Sequence, residues 1–261
     1  MSASSASNIL RGLPGQLLMD YAWSRVLVGL DFDGTLAPIV RHPPEARMRS
    51  STRRLLAQVA RLYPTAVLSG RALPDVAARL RGVPLRAVVG NHGLEPAAAP
   101  GIFEQVARRW RPLLEELARA HQGVELEDKR YSLALHYRRS RATKRVLADL
   151  ERVVPLLEPV RVVTGKRVVN FLPPDAPHKG LALERLRRRF GCDTALYVGD
   201  DETDEDVFQM DRPGRLLGIR VGARQGSAAP FSIPGQRSID SLLQRLVHAR
   251  EGGLQRLEGQ A

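Results

Sequence analysis

Val26-Leu27-Val28-Gly29-Leu30-Asp31-Phe32-Asp33-Gly34-Thr35 is an apolar run that stops abruptly at two acids and a glycine. A short valine-rich run of this kind predicts a strand buried on both faces, the habit of strands in a parallel sheet. Working outward, 65–68, 87–89, 194–198 and 216–221 have the same character, the last being the final clear strand. Between them lie stretches with helical spacing, at about Leu13–Ala22, Arg49–Tyr63, Pro74–Arg81 and His178–Phe190, with another helix opening near Thr203. Ser50 or Ser51 is the expected N-cap of the second of these, and Gly191 stops the fourth. Strand and helix in alternation predict an α/β fold with a doubly wound, mostly parallel sheet.

The pattern changes in the middle of the chain. A helix at about Ile102–His121 precedes strands at Val124–Glu127 and Ser132–Arg138, and a helix at about Ala142–Leu156 precedes strands at Arg161–Val163 and Arg167–Phe171. Thr164-Gly165 is the expected hairpin turn of the second pair. A helix followed by two strands, occurring twice, predicts an inserted α+β cap with an antiparallel sheet, and Pro173-Pro174 marks the return. The expected division is a core over 14–95 and 175–250 and a cap over 96–174.

Composition narrows the function. Forty Lys and Arg against 28 Asp and Glu give a net charge of +12. Such a balance suits either nucleic acid or capture of a small anion. The arginines are spread through helices, and the dense run Arg185–Arg189 is broken by Leu186 at core spacing. No zinc-finger spacing or aromatic RNA-binding signature accompanies them, so the expectation is a solvated surface, a small anionic partner and no nucleic acid. Cys192 is the only cysteine, which excludes an intrachain disulfide and a cysteine metal cluster. It reads as a small buried apolar residue. The opening Met1–Ser7 is small and polar and reads as a frayed terminus rather than a secretion signal. No apolar stretch is long enough to cross a bilayer, so the expected location is the cytoplasm, with no membrane partner.

In open α/β sheets ligands bind beyond the carboxyl ends of the strands. Four strand ends here carry Asp31 and Asp33, Ser69-Gly70-Arg71, Asn91-His92-Gly93, and Asp200-Asp201 with Asp204 one turn on. Several carboxylates meeting in one crevice repel each other unless a cation sits among them. Oxygen donors without a histidine or cysteine cluster select a hard ion, and a phosphate partner favours Mg²⁺. Asp31, Asp33 and Asp200 are the expected ligands, Asp33 through its side chain or its carbonyl. Asp201 and Asp204 would act through water or by holding Lys179. A carboxylate nucleophile divides phosphate ester hydrolysis into two steps. Asp31 is the expected nucleophile, and Asp33 the acid that protonates the leaving oxygen and then the base for water. Lys179, the Ser69 hydroxyl and backbone N–H groups near Asp33, Gly34 and Gly70 would offset phosphoryl charge.

These motifs, in this order and over nearly the whole chain, resemble the haloacid dehalogenase-like phosphatases. The segments Leu30–Ile39, Ser69–Arg71, Gly90–Glu95, Lys129–Arg138, His178–Gly180 and Gly199–Glu205 are more narrowly similar to the trehalose-6-phosphate phosphatase family. The resemblance implies hydrolysis of trehalose 6-phosphate under a closing cap. Substrate would be held by Gly34, Gly70, Arg71, Asn91, His92, Lys129, His136, Arg138 and Asn170, whose polar groups can pair with sugar hydroxyls. One stretch departs from the family. Its last cap strand usually ends in Glu, a spacer, a basic residue and Pro, where this chain has Asn170-Phe171-Leu172-Pro173. Another glycosyl phosphate therefore stays open as the substrate. A phosphomutase sharing the acidic start, and a basic nucleic-acid-binding scaffold, are the remaining alternatives.

Overall fold

The computed structural model describes residues 6–96, 100–210 and 214–258. Met1–Ser5 of the expected frayed terminus lies outside the described residues, whereas Ser7 belongs to a strand. In chain order the core elements are β1 (Ser7–Asn8), α1 (Gly12–Trp23), β2 (Val26–Leu30), α2 (Ser50–Leu62), β3 (Thr65–Leu68), α3 (Leu73–Arg79) and β4 (Ala87–Val89). Then follow α4 (Pro100–Ala120), β5 (Glu125–Asp128), β6 (Leu133–His136), α5 (Thr143–Val153), β7 (Arg161–Gly165) and β8 (Val168–Leu172). The chain ends with α6 (Lys179–Arg189), β9 (Thr194–Gly199), α7 (Glu205–Phe208), β10 (Leu216–Val221), β11 (Phe231–Ile233) and α8 (Ile239–Glu258).

Seven strands form a sheet ordered β1-β11-β10-β9-β2-β3-β4, and every pairing in it is parallel. The expected α/β class is the one observed. β2 lies between β3 and β9 with all five residues buried, as its continuous apolar run requires. Side chains of β2, β3, β9 and β10 split between two apolar clusters. On one face α1, α2 and α8 supply Leu18, Leu56 and Leu243, and on the other α6 supplies Leu183 and Leu186. Each such fully buried side chain contributes about 1.5–3 kcal/mol.

Leu216–Val221 is not the last strand. β11 follows it, and β1 pairs with β11 at the sheet edge. Nor do Ser50 and Ser51 cap α2. Arg49 holds the N-cap position without a side-chain bond to the helix backbone, and the Ser51 hydroxyl instead donates to Asp240 on α8.

Four antiparallel strands form a second sheet, ordered β5-β6-β8-β7. Leu133, Leu135, Val169 and Phe171 turn one of its faces onto Ala107, Trp110 and Leu114 of α4 and Val146 and Leu150 of α5. Strands alternate their side chains across the sheet. Glu127, His136 and Asn170 therefore come out on the opposite face, towards the parallel sheet. The β7–β8 turn falls at Lys166-Arg167 rather than at the expected Thr164-Gly165, which pair within the ladder. Arg167, the second residue of that turn, takes a left-handed φ of 61°. That shift of two residues brings Lys166 to the tip. Cys192 is buried and free, as expected. Among the described residues no helix is long and apolar enough to cross a membrane.

Candidate active site

β2 and β9 are adjacent, with Leu30 opposite Val198, so the residues that follow each strand emerge side by side. Asp31, Asp200 and Asp204 consequently converge, each offering an oxygen within 4.8 Å of the others. Gly34 permits the approach. It has a left-handed φ of 86°, and a Cβ there would collide with the Asp200 carboxylate.

The three acids have different partners. Lys179, the first residue of α6, is buried and donates to Asp31 Oδ1 at 2.7 Å and to Asp204 Oδ1 at 2.8 Å. Asp204 also accepts from the Tyr197 hydroxyl at 2.6 Å and the Asp201 N–H at 2.9 Å. Asp201 and Asp204 form a capping box at the turn that leads into α7. With both oxygens engaged, Asp204 is built to hold Lys179, one of the two roles expected of it. Asp200 differs. Its Oδ2 accepts from Lys166 Nζ at 2.5 Å, while its Oδ1 is buried with no donor among the described residues.

Electrostatics follow from this packing. Burial pushes the Asp31 carboxyl well above the ordinary range; Lys179 opposes that rise while Asp204 and Asp200 add to it. Burial and Asp204 push Asp200 up to about 6. Burial and the same neighbour raise Asp201. Burial alone would lower Lys179, but Asp204 and Asp31 outweigh it and keep the ammonium charged. Three converging carboxylates against two ammonium groups leave uncompensated negative charge. Together with the orphaned Asp200 Oδ1, that donor set fits a divalent cation.

Asp33 stands at the cavity with its carboxylate held by Arg71 through two bonds, at 2.6 and 2.7 Å. Arg71 also donates to Asp75 at 2.7 Å and to the Pro43 carbonyl at 2.8 Å. An arginine spent in this way positions Asp33 and has little left for substrate.

Asp31, Asp33, Gly70, Arg71, His92, Lys129, His136, Arg138, Asn170, Lys179, Asp200 and Asp201 all line one cavity between the two sheets. Ser69, Asn91, Gly34 and Asp204 do not line it. The Gly34 N–H, expected to face phosphate, donates to the Ala37 carbonyl at 2.7 Å. The Ser69 hydroxyl is fully buried and accepts from the Arg71 N–H at 3.1 Å. Asn91 was expected at the sugar, yet its amide donates to the Lys129 carbonyl at 2.9 Å and its oxygen accepts from Ser132. Asn91 and His92 adopt left-handed φ values of 51° and 59°, which non-glycine residues hold only when their surroundings impose it. The pair latches the second sheet to the end of β4.

Asn170 Oδ1 accepts from Lys129 Nζ at 3.2 Å and lies 3.3 Å from His92 Nε2. The Lys129 ammonium also donates to the Gly70 carbonyl at 2.9 Å. Arg138 bonds the carbonyls of Val40 and Lys166. Leu172 is buried with Leu94, Tyr131 and Ala176, a setting that suits an apolar residue. Two charged cavity residues escaped the sequence reading. Glu127 takes the His136 ring at 2.8 Å and lies 3.8 Å from Lys129 Nζ. Burial would raise its carboxyl, but His136 and Lys129 hold it down at about 2. Lys166 is the other. Glu127 stands two residues before Lys129 on a strand, so period-two spacing could have found it. Lys166 depended on a turn assigned two residues early.

Residues 29–235 match the family model described as trehalose-phosphatase. A trehalose-phosphate phosphatase of Mycobacterium avium (strain 104) is 35% identical over 249 residues, covering 87% of this chain and 63% of the relative. The trehalose 6-phosphate phosphatase RA3 of Zea mays is 30% identical, over 87% of this chain and 71% of the relative. The chain thus spans less than two thirds of the mycobacterial protein's length. In fold it is similar to the C-terminal domain of the C. albicans trehalose-6-phosphate phosphatase, with a TM-score of 0.75 at 21% identity, over 95% of this chain and 99% of that one.

Proposed function

The chain belongs to the trehalose-phosphatase family, and from that premise we propose that it hydrolyses trehalose 6-phosphate to trehalose and phosphate. The observation that carries the reading is the meeting of Asp31 and Asp200 beside Lys179, with the Asp200 Oδ1 left without a donor among the described residues.

On this reading Asp31 Oδ2, which accepts no hydrogen bond among the described residues, attacks phosphorus while Oδ1 stays on Lys179. The new bond makes an aspartyl-phosphate, and the bond from phosphorus to the sugar oxygen breaks. Asp33 supplies the proton to that oxygen. It then takes a proton from the water that attacks the intermediate, releasing phosphate and restoring Asp31. Arg71 holds the Asp33 carboxylate between these tasks. Lys179 places fixed positive charge against the phosphoryl oxygens. Asp31 and Asp200, with the Asp33 carbonyl, would hold Mg²⁺, which supplies further positive charge there.

Residues 96–174 act as a cap, and Glu127, Lys129, His136 and Asn170 present donors and acceptors to the sugar. A second reading keeps the chemistry and changes the sugar. It is favoured by Leu172, which offers no polar group, and by Asn170, whose amide oxygen is already engaged. Phosphate release from trehalose 6-phosphate and glucose 6-phosphate, with and without Mg²⁺, separates the two. Faster release from trehalose 6-phosphate is expected, and equal rate constants would favour the second.

A further inference from the structure

The β7–β8 hairpin lies along the acidic segment from Asp200 to Asp206 and grips it at four places. Arg161 donates to the Asp206 carboxylate at 2.5 Å. The Thr164 hydroxyl donates to the Glu202 carboxylate. A Cβ on Gly165 would stand 2.9 Å from Asp201 Oδ2, so the backbone there rests against that acid. At the tip, Lys166 Nζ donates to Asp200 Oδ2 at 2.5 Å. Arg138 braces the turn by donating to the Lys166 carbonyl at 2.9 Å.

The two partners in that last contact are unequal. The Asp200 side chain is 2% exposed and that of Lys166 is 56% exposed. A buried carboxylate needs a nearby positive charge, whereas a lysine on a flexible, hydrated stem can leave at small cost. Among the described residues Lys166 is the only cation bonded to the Asp200 carboxylate, Arg220 reaching only the Asp200 carbonyl, and it is a cation easily removed that sits on the sheet closing the cavity.

We propose that Lys166 is a built-in counter-cation for Asp200, displaced when a divalent ion binds, so that ion binding loosens the β7–β8 hairpin from the acidic segment. The inference rests on the reading that Asp31 and Asp200 hold the ion. An ammonium and a divalent ion on the two oxygens of one carboxylate lie within a few ångströms and repel, and burial leaves that repulsion poorly screened. Coupling of this kind is reciprocal. What holds the hairpin down weakens ion binding, and the ion in turn weakens the hairpin's grip.

The test uses Mg²⁺ alone on the full chain. Calorimetric titration compares wild type, Lys166→Met and Lys166→Arg, and hydrogen exchange follows residues 161–172 with and without the ion. Lys166→Met is expected to bind Mg²⁺ about three- to tenfold tighter, following loss of a like charge, while Lys166→Arg stays near wild type. Mg²⁺ should speed exchange in the wild-type hairpin, and Lys166→Met should show the faster exchange before any ion is added. Equal or weaker binding by Lys166→Met overturns the proposal, as does equal tightening in Lys166→Arg or a hairpin that Mg²⁺ leaves unchanged or protects. If wild type binds no Mg²⁺, the ion assignment beneath it falls as well.

Discussion

The mouth of the parallel sheet and the inward face of the second sheet are both polar, but they are polar for different reasons. At the mouth, acids outnumber cations, the fully buried Asp200 Oδ1 has no donor among the described residues, and burial pushes Asp31 and Asp200 up in pKa. On the opposing face Glu127, His136, Lys129 and Asn170 satisfy one another. A site left out of charge balance is prepared for chemistry. One that balances itself is prepared for exchange and, on the proposed function, would give up internal hydrogen bonds for those of a sugar.

Mutations should separate the two regions. Asp31→Asn is expected to cost the most, at least about 10³-fold in kcat, as removal of a nucleophile does. Because it also removes a buried charge from a repelling cluster, thermal stability should hold or rise, and a phosphate-release assay with a melting curve checks both. Lys179→Met should lower kcat by about 10²–10³-fold. It should also destabilise the fold by about 3–5 kcal/mol, since Asp31 and Asp204 lose their partner in a buried setting. Urea unfolding reads the second effect.

A smaller effect comes from pH. In the ion-free fold Asp200 titrates at about 6 against an ordinary 3.8, so the folded state keeps a proton that the unfolded chain has released. Stability should therefore fall as pH rises through roughly 4 to 6, by up to about 3 kcal/mol from this one group. Urea midpoints of wild type and Asp200→Asn without divalent ion test the point. The difference should open over that window and stay constant above it. The smallest expected change is in the second sheet. Glu127→Gln should raise KM about tenfold, the worth of one charged hydrogen bond, with kcat within about threefold. A fall confined to kcat would instead place Glu127 with the chemistry.

The same contrast governs what could be read from the sequence. β2, β3, β4 and β10 were legible to the residue and β9 to within one, because buried parallel strands are runs of apolar residues and need no partner to be recognised. The acids were legible because they follow those strands directly. The second sheet was harder. A strand exposed on one face shows only alternation, so the hairpin turn moved by two residues and Lys166 with it. β11 is three residues between Pro230 and Pro234, too short for a periodic signal. Asn91 offered no clue to its latch, since its partners Lys129 and Ser132 lie about forty positions away and meet it only through the fold.

Gly34 carries a practical consequence. Where the backbone angles suit alanine, exchanging a glycine for it stiffens the unfolded chain and gains about 0.4–1 kcal/mol. Here the absent methyl group acts as the spacer gauge between the loops that carry Asp31 and Asp200. An engineer seeking a hardier protein would, at this residue, push the loops that carry Asp31 and Asp200 apart.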